Sequence, residues 1–243
     1  MRKVLSILLL LSVASLGLGQ EEIVQPSQAS LKYREYRYKA SEPTFGLAKV
    51  KGLIKKIKRD SEDNLRLEKK LYNGLSTEEK FTYAMLHGED FSQNCDVMPG
   101  IKDEEKKIFG YIPGNFGDEA MWSDRQREFL KKNRTKVIDL LRRTIKTRQR
   151  VGVNLKHTIV EINAYELIPD VIAVYNIKKV DHDILTVLMQ MMKEGNYEPF
   201  IKSQSHEKLY GENSNYRGYI DASTANQKLV IERAMAFYKL KKK

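Results

Sequence analysis

A chain of 243 residues with 43 Lys and Arg against 32 Asp and Glu carries a formal charge of +11, a balance that favours association with anionic partners. Its one cysteine excludes an internal disulfide, so the fold must stand on a hydrophobic core, for which 41% apolar residues suffice.

The chain opens MRKVLSILLLLSVASLGLGQEE. Arg2 and Lys3 form a positive start, residues 4–14 an apolar stretch, and Gly17 and Gly19 are small residues before a cut at Gly19-Gln20. The pattern predicts a secretory signal peptide over residues 1–19, because the apolar stretch is shorter than the roughly 20 residues a spanning helix needs. No later run approaches that length, so no transmembrane segment is expected. A short leader followed by Gln resembles those of exported proteins of Bacteroidetes-type bacteria, which implies a secreted or periplasmic protein. Loss of Arg2 and Lys3 with the leader takes the charge from +11 to +9.

Residues 20–42 read as a flexible lead-in. Within them LKYREYRYK (31–39) fits a short strand or the start of a helix equally well. Residues 43–243 read as one α-helical domain. Leu47, Val50, Ile54 and Ile57 follow the helical period, residues 61–64 break it, and a short helix is expected over 65–72. Ser76 and Glu79 form a capping box for a helix that Gly88 stops. Residues 99–122 form a long loop, and Ser123 with Gln126 launches the longest helix, over 124–150. Helices then open at Asn154, near Pro169, at Asp181 and at Thr224, separated after Gly195 by a long loop over 196–222. The fold class is therefore all-α, a bundle of about seven to eight helices or a short stack of helical pairs. Residues 154–194, with Ile-Pro-Asp opening a helix and an Asp-capped helix after it, resemble a HEAT-type repeat. That resemblance implies a HEAT-like stack, although no second copy recurs at the period a repeat array requires.

Two basic surfaces stand out. Along the helix 124–150, Arg125, Lys132, Lys136, Arg143, Lys146 and Arg150 fall within about 60° of one another, opposite Leu130, Val137, Ile138, Leu141 and Ile145. This face is the candidate anion-binding site, for an envelope lipid, an acidic polymer or an acidic protein, unless acids elsewhere in the fold neutralise it. The second surface is FGLAKVKGLIKKIKR (45–59), in which lysines alternate with aliphatics. Alone it would lie on an anionic membrane; within a domain it reads as a core-facing helix with a lysine-rich outside. Nucleic acid is disfavoured, because no aromatic stacking platform appears and export separates the chain from it.

Catalytic candidates gather in LHGEDFSQNCDVMPG (86–100): His87, Glu89, Asp90 and Cys95, with Glu119 beyond. A cysteine nucleophile needs a base beside it, and carboxylates in a cleft can act as general acid and base. A periplasmic hydrolase is thus the alternative to a binding or scaffold protein. No H-E-x-x-H or phosphate-binding loop is present, and neither a metal nor a cofactor is expected. The loop GYIPGNFGDEAMW (110–122), ending in the one tryptophan, reads as a hydrophobic plug before it reads as a carbohydrate grip.

Overall fold

The computed structural model describes residues 25–93, 100–116 and 119–242. Twelve α-helices are found among them: α1 Gln28–Tyr38, α2 Leu47–Ile54, α3 Lys69–Asn73, α4 Thr77–Leu86, α5 Asp124–Lys132, α6 Arg134–Arg148, α7 Val153–Glu161, α8 Ile168–Lys178, α9 His182–Glu194, α10 Glu198–Ile201, α11 Gln204–Tyr210 and α12 Thr224–Lys241. Two short antiparallel pairs accompany them, β1 (Asp90–Phe91) with β3 (Ala120–Met121) and β2 (Lys107–Phe109) with β4 (Tyr219–Asp221). The fold is mostly α, as the helical periodicity predicts. No helix among the described residues is long and apolar enough to cross a membrane.

Helix α9 is the central element. Ile184, Leu185, Val187, Leu188, Met189, Met191 and Met192 are all buried and form a broad apolar face, while Thr186 and Gln190 on the other side donate to the carbonyls of Phe109 and Gly110. It meets α7, α8, α12 and strand β2. A smaller cluster of Val50, Leu67, Tyr72, Leu75 and Tyr83 joins α2, α3 and the inner face of α4. Chain segments far apart in sequence are pinned by a close approach at Gly152, where an added Cβ would lie 2.2 Å from the Ser41 backbone nitrogen. Beside it, buried Asn154 accepts from Ser41 N–H and donates to the carbonyls of Ser41 and Met85.

Several expectations need correction. The lead-in over 20–42 contains a full helix, α1, because Tyr33 and Arg37 bury themselves against the domain and Ser27 caps the start. The helix expected over 65–72 is confined to the five residues of α3. The helix 124–150 is two helices meeting at Asn133, whose Nδ2 donates to Phe129 O at 2.9 Å and competes with the backbone ladder. The loop 99–122 holds β2 and β3, and the loop 196–222 holds α10, α11 and β4. Short strands of this kind leave no alternation to read, since each spans two or three residues.

Candidate functional site

The capping box of α4 forms as the sequence predicts, with Ser76 and Glu79 satisfying each other's backbone N–H groups. The helix ends at Leu86, and the chain turns through His87 and Gly88 into β1. His87 points its Nε2 at the Leu65 carbonyl, 2.6 Å away, and its ring lies 5.3 Å from that of Tyr83. Burial pushes its pKa below the ordinary value, so the imidazole is neutral and donates this hydrogen bond.

Glu89 is completely buried, and both of its oxygens are occupied. Oε1 accepts from the Tyr83 hydroxyl at 2.8 Å and from Arg125 Nη2; Oε2 accepts from Ser123 Oγ at 2.5 Å and Arg125 Nε at 2.7 Å. Burial by itself raises the carboxyl pKa, yet the hydrogen bonds from Arg125, Ser123 and Tyr83 outweigh it and hold the pKa below the usual value. Tyr83 responds in the opposite direction: burial and the Glu89 charge push its phenol far up. The Arg125 guanidinium also lies 4.3 Å from the Tyr72 ring and donates to Leu67 O at 2.6 Å. Ser123 and Gln126 form the capping box expected at the start of α5, Gln126 reaching back to the Ser123 N–H at 3.1 Å, and the Ser123 hydroxyl also donates to Glu89. A carboxylate fixed in this way anchors the start of α5 and has no free oxygen to shuttle a proton.

Asp90 pairs with Arg66 at 2.8 Å on the surface. Glu89, Asp90 and Glu119 do line one depression, of about 80 Å³, which is well below the volume of ordinary small-molecule sites. His87 is not among the groups around it. Cys95 lies outside the described residues. Trp122 is buried, donates to Ala84 O at 2.7 Å and packs edge-on against Phe116, which makes it the plug.

The basic face of 124–150 is largely taken up within the fold. Arg125 holds Glu89, Lys132 pairs with Glu128 at 2.8 Å, Lys136 with Glu78 at 3.0 Å and Arg143 with Asp139 at 3.7 Å. Arg150 donates to the carbonyls of Tyr36 and Lys39 and lies over the Tyr36 ring. Lys146 is exposed, and no acid among the described residues pairs with it. On the flank of the same helices, Arg127 and Lys131 share Glu161, Arg134 grips Glu166 with both Nη atoms, and Arg142 meets Asp170. The arginines here bind α5 and α6 to α7 and α8.

The end of α2 differs. Lys49 pairs with Glu79 and Lys51 with Glu42, but Lys55, Lys56 and Lys58 are exposed with no acid partner among the described residues. The winding continues past α2, since Lys55, Lys56 and Ile57 donate backbone N–H groups to Lys51, Leu53 and Ile54. Beside these lysines Leu53, Ile54 and Ile57 are only partly covered by the smaller core cluster.

Sequence reasoning missed a buried ionic cluster. Lys156 is fully buried, with its Nζ 2.5 Å from Asp181 and 3.7 Å from Asp183. Arg37 of α1 reaches the same Asp183 at 3.0 Å and Glu104 at 2.7 Å, and the Tyr36 hydroxyl donates to Asp181. Asp181 occupies the start of α9, as its sequence position suggests, but no cap hydrogen bond forms and its carboxylate serves Lys156. The available signal was a lysine flanked by Leu155 and Ile159 on the inner side of α7. Compared with known proteins, the chain matches no family model, no curated sequence and no solved structure.

Proposed function

We propose that this is an exported helical binding or scaffold protein whose contact with an anionic partner is made by Lys55, Lys56 and Lys58 at the end of α2. The observation that carries the reading is a contrast in pairing: five of the six cations on the 124–150 face have partners within the fold, whereas these three have none among the described residues. An exposed cation already paired with a carboxylate gains little from a second anion, while an unpaired one raises the local concentration of any anionic ligand.

The test is elution from a polyglutamate matrix under a salt gradient. The triple variant Lys55→Gln, Lys56→Gln, Lys58→Gln should elute at clearly lower salt than the parent. Lys132→Gln with Lys136→Gln should elute close to the parent, because those side chains are already neutralised. Equal losses from both variants would mean net charge alone governs retention, and the reading would fall.

Hydrolysis in the 87–122 region is the second reading, favoured by the convergence of Glu89, Asp90 and Glu119 on one depression. The ion pair of Glu89 with Arg125 counts against it, since neither group is free for chemistry.

A further inference from the structure

Helix α1 is held to the domain by polar groups. Its buried residues are Ser30, Tyr33 and Arg37, with no aliphatic side chain among them. Ser30 Oγ donates to Glu105 at 2.8 Å, the Tyr33 hydroxyl accepts the His182 N–H at 3.1 Å, and the Tyr36 hydroxyl donates to Asp181. Beyond the helix the chain is pinned, because Gly152 and Asn154 fix Ser41. The C-terminal end of α1 therefore has a fixed hinge.

Arg37 fills a cage that matches the shape of a guanidinium. Its Nε donates to Asp183 at 3.0 Å and its Nη1 to Glu104 at 2.7 Å, the Tyr111 carbonyl lies 3.5 Å from Nη2, and the Phe109 ring lies 4.3 Å from Cζ. A planar fork satisfies two carboxylates and a carbonyl at its edge while its face meets an aromatic ring, which a compact ammonium cannot do. Every wall belongs to the domain: Glu104 lies just before β2, Phe109 on β2 and Asp183 on α9.

How firmly α1 stays docked depends on what its release exposes. Lifting an apolar helix would expose aliphatic surface, but lifting α1 returns Arg37, Glu104 and Asp183 to water. The hydration they regain offsets much of the Coulomb attraction lost. Asp181 and Asp183 keep Lys156, at 2.5 and 3.7 Å, so the floor stays paired without the helix. A second observation favours release. The His182 ring, 5.8 Å from that of Tyr33, has a buried Nδ1 with no hydrogen-bond partner, and moving Tyr33 away brings water to that side. With Arg37 withdrawn, the buried carboxylates of Glu104, Asp181 and Asp183 face only the Lys156 ammonium, so the vacated cage favours a cation.

We propose that α1 is a displaceable strap whose Arg37 occupies a guanidinium-binding site of the domain, and that an arginine side chain of a partner protein takes this site when α1 swings away about residues 39–41. The proposal is independent of the α2 lysines and concerns a partner of opposite charge.

Hydrogen exchange of residues 20–243, resolved by peptide, tests it. Amides of α1 should exchange at least about a hundredfold faster than those of α9 under native conditions, as a local opening requires. Acetyl-Ala-Arg-Ala-amide at millimolar concentration should speed α1 exchange several-fold further, because it binds only the open form, and the same peptide with lysine should leave the rate unchanged. In Arg37→Ala the emptied cage should be stabilised against heat by N-ethylguanidinium and not by ethylammonium. Exchange of α1 as slow as that of α9 overturns the proposal. So does an arginine peptide with no more effect than the lysine peptide, or an emptied cage that does not distinguish the two cations.

Discussion

Replacing Lys156 by methionine keeps the length of the side chain and removes its charge from a site with no water contact. In the intact protein the ammonium sits 2.5 Å from Asp181 and 3.7 Å from Asp183 at 0% exposure. After the substitution Asp183 retains Arg37 at 3.0 Å, but Asp181 keeps only the Tyr36 hydroxyl at 3.3 Å. Removing one member of a buried pair leaves the other charge desolvated and costs roughly 3–5 kcal/mol. For a domain of this size each kcal/mol lowers the melting temperature by about 2–4 °C, so Lys156→Met should lower it by about 10 °C. Urea unfolding of the single variant and of Lys156→Met with Asp181→Asn would decide the matter. The double variant removes both charges and should recover much of the loss, since the desolvated carboxylate is gone. A single variant within about 1 kcal/mol of the parent would refute the reasoning, as would a double variant as unstable as the two single losses added.

Four other outcomes follow from the same geometry. Gly152→Ala should destabilise by about 1–3 kcal/mol in urea unfolding, because its Cβ must displace the Ser41 backbone; an unchanged midpoint would show that the 39–41 segment gives way freely. Glu89→Gln should lower stability at neutral pH, and the gap from the parent should close in acid. The folded carboxyl pKa is depressed, so its contribution is complete above the unfolded value of about 4.3 and fades as pH falls through the folded one; parallel curves of stability against pH would contradict this. His87 also has a depressed pKa, and its neutral form supports folding above about pH 6.5. His87→Asn should therefore flatten the loss of stability between about pH 7 and pH 5, measured by thermal melting. Lys136→Gln, by contrast, should change stability by less than about 1 kcal/mol, because its pair with Glu78 is exposed on both sides.

The helices were legible where their signals are local. The capping box at Ser76, the stop around Gly88, the Pro169 start of α8 and the apolar periods of α4, α7 and α9 are decided within a turn or two, by hydrogen bonds between near neighbours and by which face is greasy. The break at Asn133 could not be read in the same way. A mid-helix Asn favours either outcome, and here the carbonyls of Ile162 and Asn163, together with Glu166, hold the Arg134 that follows it.

The candidate site divides along the same line. That the chain is basic, that lysines alternate with aliphatics over 45–59 and that charges line one side of 124–150 were all determined by the sequence alone. Which of those charges remain available was decided by the tertiary structure. Arg125 meets a glutamate 36 positions away and Arg134 one 32 positions away, while Lys156 and Arg37 meet on Asp183 from separate helices. Periodicity fixes the direction of a side chain from its own helix axis, but an ion pair also requires the partner's position, and only the packing of whole helices supplies that.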